Sequence, residues 1–291
     1  MSCPACFTGS QHTHGEPKGE MTMVHGLECY VTPPLSEILK SDSRIVYMCD
    51  AIGLPLVNNK LLADEYAKGT GIRVYAPPFP TKPAAPATLA AMDVAMGTVG
   101  MTDIGGQLRR AYNVFLTVGA MVPFLLNNKP ASVFPDVVEF VRKIKSDMAG
   151  SDGKLGVAGF CWGGYHAVNL CTQTNTTDPD SGRLVDAQFT AHPSALSGSS
   201  MLVDAVATHA VPCSIAYPNN DLALSRKAVD EAVATLNKLQ AEDPERIEYE
   251  LRIYEGQAHG FAVRGDLQDE EVKKAVQEST NQAVDWFRRF L

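Results

Sequence analysis

Residues 155–168 read LGVAGFCWGGYHAV, and this string limits the possible folds more than any other part of the chain. LGVAGF is a run of small and apolar residues suited to a strand covered on both faces. The glycines at 159, 163 and 164 allow an abrupt turn in which side chains would collide with strand or helix. A helix is predicted over residues 164–173. A strand entering a helix through so tight a turn belongs to a layered α/β architecture.

The same alternation recurs along the chain. Strands are predicted at 44–49 (RIVYMC), 71–76, 155–160, 187–191, 212–217 and 247–254, with helices at 58–68, 136–148, 164–173 and 202–208. Ser225 caps a further helix carrying Val229, Val233, Leu236 and Leu239. The last helix, 270–290, has Val276, Ala283, Val284 and Phe287 on one stripe. Residues 24–32 suggest a hairpin turning at His25-Gly26. The expected fold is a mostly parallel sheet flanked by helices, with residues 1–291 as one domain and 1–20 as an N-terminal arm. Residues 77–130 are too long for a simple crossover and rich in Pro, Met, Ala and Gly. They are expected to hold a helix near 108–126, interrupted at Pro123, and read either as a helical lid-like insertion over the strand ends or as packing on a sheet edge.

Composition narrows the function classes. The 25 Lys and Arg against 33 Asp and Glu give a net charge of −8, and no basic run is present, which argues against a nucleic-acid ligand. No stretch approaches the roughly 18 apolar residues of a membrane span. The first residues lack the apolar core of a secretory signal. Seven scattered cysteines, an odd number, fit reduced thiols and a cytoplasmic location.

The turn at Gly159-Phe160-Cys161-Trp162-Gly163 has the form of a G-x-S-x-G nucleophile elbow with cysteine in the serine position. The bland alternative is a tight turn with a buried free thiol. In the functional reading, Cys161 stands above the sheet at a helix N-terminus that favours its thiolate. An elbow nucleophile takes an acid and then a histidine in chain order. Asp221 follows strand 212–217, and His259 follows strand 247–254 in EGQAHGF, both just past strand C-termini. His192, in AHPS, competes for the base but precedes Asp221; a structural or substrate-contact role near the site suits it better. His166 is expected to pack. Asp50, in CDAIG, is either a turn cap or a group beside the nucleophile. In the second case the Ala51 and Trp162 N–H groups would form an oxyanion hole.

CDAIG, NNKLLADEYA, GFCWGGYH, AHPS, Asp221 and HGFAVRGD together resemble the dienelactone hydrolases (carboxymethylenebutenolidases) of the α/β-hydrolase fold. The resemblance runs from about Cys3 to Leu291 and is nearest to the fungal branch, which shares SCPAC and the lid region. It implies a triad of Cys161, Asp221 and His259, with Asp50 as the oxyanion-loop acid. Arg264 lies one position from the place of a substrate-carboxylate arginine. Residues 76–86, APPFPTKPAAP, depart from the family's Asp-Leu/Phe followed by Gly, and this points away from dienelactone itself as the substrate.

A cysteine nucleophile restricts the chemistry further. A thiolate leaves more easily than an alkoxide, so its adduct with an alkyl ester collapses backwards. Forward collapse needs a leaving oxygen whose pKa lies near or below the ~8.5 of a free thiol. Enol-lactones, aryl esters, thioesters and anhydrides qualify. The expected enzyme is a carboxylic ester or lactone hydrolase acting through a thioester on Cys161 and needing no cofactor or metal. Its partner is a small acyl compound; no oligomeric state is implied.

Two competitors stand beside this reading. One is a ring-forming, isomerising or decarboxylation-linked enzyme of secondary metabolism. The other is a thiol redox or binding protein using Cys161 or Cys3 and Cys6, which would leave the Asp221–His259 pair without purpose. Cys3, Cys6, His12 and His14 imitate a zinc site, but the pairs stand closer than the dozen or so residues usual in metal fingers. Arg109 and Arg110 either hold an acidic substrate or form a solvated helix face.

Overall fold

The computed structural model describes residues 10, 15–36, 42–88, 91, 103–176 and 182–291. Cys3, Cys6, His12 and His14 lie outside the described residues. In chain order the strands are β1 (Glu20–Val24), β2 (Leu27–Thr32), β3 (Arg44–Met48), β4 (Arg73–Ala76), β5 (Leu155–Phe160), β6 (Ala187–Ala191), β7 (Cys213–Asn220) and β8 (Tyr249–Ala258). The described helices are α1 (Val57–Thr70), α2 (Ile104–Asn127), α3 (Pro130–Ser146), α4 (Trp162–Leu170), α5 (Ser199–Ala207), α6 (Arg226–Glu242), α7 (Phe261–Arg264) and α8 (Glu270–Phe290).

One sheet runs in the order β1-β2-β4-β3-β5-β6-β7-β8. The β1–β2 hairpin and the β2–β4 pair are antiparallel, and every pairing from β4 through β8 is parallel. Every residue of β5 and β6 is buried, which explains their continuously apolar or small sequences. The small residues have steric reasons: a Cβ on Gly156 would come within 2.6 Å of Leu291 and 3.0 Å of Phe287 on the C-terminal helix side. Aromatic rings fill the centre, with Tyr47 stacked 4.8 Å from Phe160 and Tyr66 edge-on to Phe189 and Phe287 at 6.3 and 6.2 Å.

Helix ends follow local chemistry. Gly71, at φ 73°, ends α1 with its N–H on the Ala67 carbonyl. Ser225 caps α6 through Ala228 N–H, and Asp269 caps α8 through the N–H groups of Glu271 and Val272. The expected break at Pro123 is corrected: α2 continues through it from Ile104 to Asn127. The carbonyl left without its helical donor belongs to Gly119, which is exposed, so water replaces the lost bond.

The described part of the N-terminal arm is fastened to α1. Ser10 N–H donates to the Arg264 carbonyl at 2.8 Å, and the Asn58 amide donates to the Ser10 carbonyl at 2.9 Å. Further on, Asp64 accepts from Lys18 N–H at 2.6 Å, from Thr32 Oγ1 at 2.6 Å and from the Tyr30 hydroxyl at 2.9 Å. This buried carboxylate joins arm, hairpin and helix. Among the described residues, no helix is long and apolar enough to cross a membrane.

Candidate active site

The parallel register decides which residues meet. Phe160 pairs with Ala191, so the chain beyond β5 begins with Cys161 and the chain beyond β6 with His192. Met48 pairs with Gly159, which places Asp50 and Ala51 on the other side of the same turn. A shift in β7 sets Asn220 opposite Ala258, so the next residues are Asp221 and His259. Strand ends thus gather side chains that are far apart in sequence.

Cys161 occupies φ 52°, ψ −114°, a strained conformation for a residue with a side chain. Its neighbours hold it there. A Cβ on Gly163 would lie 2.2 Å from the Met48 carbonyl oxygen and 2.4 Å from that of Cys49; one on Gly164 would lie 2.7 Å from Pro193. These two glycines let α4 sit directly against the ends of β3 and β6. Cys161 N–H also donates to the Ala191 carbonyl at 3.3 Å.

His259 Nδ1 lies 3.0 and 3.1 Å from the two oxygens of Asp221, and both side chains are shielded from solvent. A carboxylate only accepts, so Nδ1 carries the proton and the other nitrogen is left for Cys161. His259 and Cys161 are hydrogen-bonded. Burial alone would favour the neutral ring, but the Cys161 charge, the bonds to Asp221 and Cys161, and the Asp221 charge together push the His259 pKa up to about 10. That rise is the one expected of an imidazolium beside a charged Cys161 sulfur. Asp221 is itself fixed by Ala223 N–H at 2.7 Å and Leu224 N–H at 3.4 Å.

Asp50 is fully buried. Its Oδ1 accepts from Ile52 N–H, Gly53 N–H and the Asn59 amide at 3.1, 3.3 and 3.0 Å, and its Oδ2 accepts from Arg264. The turn-cap reading describes these bonds, and the ion pair adds what one-dimensional reading did not contain. Arg264, the expected substrate contact, is 1% exposed, and its guanidinium is held by Asp50. It packs over Gly260, where a Cβ would meet the guanidinium at 2.4 Å. Ala51 N–H and Trp162 N–H flank the turn. Trp162 opens α4, where no intrahelical carbonyl reaches its N–H, and the Ala51 carbonyl accepts from Ala84 N–H at 3.0 Å.

His192, the other expected substrate contact, has no exposure; its ring stands edge-on to His259 with centroids 5.1 Å apart. Burial, and then the charges of His259 and Arg264, hold its pKa well below the usual histidine range, so it is neutral beside the charged base. His166 packs 4.2 Å from Trp162, and burial pushes it down to about 3. One neighbour of the nucleophile was missed. Ser194 Oγ lies 3.8 Å from Cys161 Sγ, while Ser194 N–H donates to the Cys161 carbonyl at 2.9 Å. The AHPS string held the only signal for it, and the positive φ that turns its hydroxyl inward is invisible in sequence.

A cavity of about 740 Å³ lies between the arm, α1, α7 and α8, lined among others by Leu61, Asp64, Val263 and Val276, and none of the triad residues borders it. Above Cys161 the C-terminal end of α2 is seated on Trp162: Phe124 stands edge-on to the indole, whose N–H donates to the Asn128 carbonyl at 2.9 Å. Arg109 is exposed on the same helix, in keeping with a solvated face. Among the described residues, no group of three or more His, Cys, Asp or Glu is placed to hold a metal ion.

Comparison with known proteins gives the family. Residues 118–291, more than half the chain, match the dienelactone hydrolase family. Hydrolase tropI of Talaromyces stipitatus is 26% identical over 100% of this chain and 96% of its own length. Dienlactone hydrolase 1 of Gibberella moniliformis is 23% identical over 97% and 91%. Among solved structures, a Klebsiella pneumoniae protein described as a dienelactone hydrolase superposes with a TM-score of 0.59 at 15% identity, covering 91% of this chain and 93% of its own. Esterase 2 of Thermogutta terrifontis gives 0.52 at 13% identity, covering 92% and 94%. The chain belongs to the dienelactone hydrolase family and is a carboxylic ester or lactone hydrolase of the α/β-hydrolase fold.

Proposed function

We propose that the protein hydrolyses activated esters or enol-lactones through a covalent thioester on Cys161. The observation that supports this most is the Asp221–His259 hydrogen bond continuing to Cys161 at the strained turn. In this reading the Cys161 thiolate attacks the acyl carbon, and the oxyanion accepts hydrogen bonds from Ala51 and Trp162 N–H. The adduct expels the substrate oxygen, which takes the proton from His259. His259 then removes a proton from water as it attacks the thioester and keeps it as the thiolate departs, which restores the ion pair. Asp221 holds the ring in the required tautomer throughout. Asp50 and Arg264 fix the loop that carries Ala51. Five free, buried cysteines among the described residues support a cytoplasmic setting.

The test is a series of esters with one acyl group and leaving groups of rising pKa. Each unit shifts the partition of the adduct by up to about 1.4 kcal/mol, so kcat/KM should fall steeply from aryl to alkyl esters. Cys161→Ser should flatten the dependence and lower the rate overall. Efficient turnover of ethyl esters by the native enzyme would overturn the thiolate reading. Isomerised or cyclised product without net hydrolysis would favour the ring-forming alternative.

A further inference from the structure

We propose that Ser194 is a further catalytic residue, whose hydroxyl donates a hydrogen bond to the Cys161 sulfur and assists its departure when the thioester is hydrolysed. The inference rests on the thioester reading above and deepens it. Ser194 is 5% exposed, and its Oγ lies 3.8 Å from Sγ, within reach of a sulfur hydrogen bond. A thiolate can only accept, so the hydroxyl is the donor.

The surrounding backbone is built to hold it there. His192 and Ala195, on either side of the Pro193-Ser194 pair, both have positive φ, 41° and 61°. Such conformations cost of order 1–3 kcal/mol each and persist only where packing over-determines them. Three contacts do so. His192 N–H is tied to the Ala216 carbonyl at 3.0 Å, Pro193 fills the space opposite Gly164, and Ser194 N–H is tied to the Cys161 carbonyl at 2.9 Å. The strained turn is thus fastened to the same elbow that strains Cys161, and hydroxyl and sulfur move as one unit.

The chemistry gives this contact a direction. A hydrogen bond to sulfur is strong when the sulfur is charged and weak when it is a thioester. In deacylation, water adds to the thioester carbon, the C–S bond breaks, and negative charge grows on sulfur. The Ser194 hydroxyl stabilises that growing charge before His259 and Cys161 restore the resting ion pair. In acylation the charge on sulfur is consumed, so the same bond gives no help there. Ser194 should therefore set the ratio of the two half-reactions rather than the first alone.

The experiment compares native enzyme, Ser194→Ala and Ser194→Thr on a p-nitrophenyl ester, with folding checked by circular dichroism. For Ser194→Ala, kcat and KM should fall together by about tenfold while kcat/KM stays within about threefold. Intact-mass spectrometry at steady state should show acyl-enzyme accumulating on Cys161. Ser194→Thr, which keeps the hydroxyl, should restore kcat. Independently of turnover, the midpoint of Cys161 alkylation by iodoacetamide should rise by about one pH unit in Ser194→Ala. Equal losses in kcat and kcat/KM without accumulation, or an unmoved alkylation midpoint, would overturn the proposal and leave Ser194 a turn residue. Undiminished turnover by Cys161→Ala would instead overturn the thioester reading itself, a failure distinguishable from that of Ser194.

Discussion

The corner around Cys161 and helix α2, which meet at Trp162, are built on opposite terms. In the corner, polar and strained groups are sealed: Asp50 and His192 have no exposure, and Arg264 has 1%. In α2, apolar side chains stand in solvent, with Ile104 and Phe115 each 74% exposed. The helix is capped at its start by Asp103 on Gly106 N–H and is anchored at its end by Phe124 and Asn128 against Trp162. Strained backbone and buried charge survive only where many neighbours fix them, whereas much of the apolar surface of α2 is exposed. Sensitivity to substitution should therefore change sharply from one region to the other.

The largest effect belongs to the buried ion pair. Arg264→Met leaves Asp50 charged and uncompensated in the interior, and should lower unfolding free energy by about 3–5 kcal/mol in urea titrations. A loss under about 1 kcal/mol would show that the corner tolerates a lone carboxylate. Phe124→Ala, at the end where helix meets corner, should cost about 3 kcal/mol because a large buried side chain is deleted. A value near zero would detach α2 from the site.

The third effect is graded with pH. His259 stands at about 10 in the folded protein against the 6.5 of an ordinary histidine. Because the folded value is the higher one, its stabilising contribution is fully present below about 6.5 and is lost as pH rises through about 10. The stability gap between native protein and His259→Gln should narrow steadily over that window. A gap that widens with pH would reverse the assigned protonation state. The smallest effect is that of Phe115→Ala in mid-helix, expected within about 0.5 kcal/mol of native. A larger loss would mean that something covers this face in solution.

Sequence reading reached different depths in these two regions. Helix 270–290 and strands 155–160 and 187–191 match the structure at both ends, because apolar periodicity and caps are local signals. The candidate triad was legible for the same reason: each member follows directly on a strand, and parallel strand ends converge. What depends on contact between distant segments was not legible. The Asp50–Arg264 pair joins residues 214 apart, and the sequence offered a turn acid or a group beside the nucleophile and, separately, a displaced arginine. Ser194 faces Cys161 from a turn flanked by positive φ at His192 and Ala195, conformations that ordinary residues do not announce. Pro123 misled in the opposite sense: it lies inside α2 without ending it.

The central claim is that acyl transfer passes through Cys161. Its most direct measurement is intact-mass spectrometry of the protein quenched in acid during turnover of a p-nitrophenyl ester, followed by peptide mapping. The expected result is a mass increase equal to one acyl group, located on Cys161 and missing from Cys161→Ala, which should release no p-nitrophenol above background. Turnover at native rates by Cys161→Ala, or an acyl group found on another residue, would contradict it.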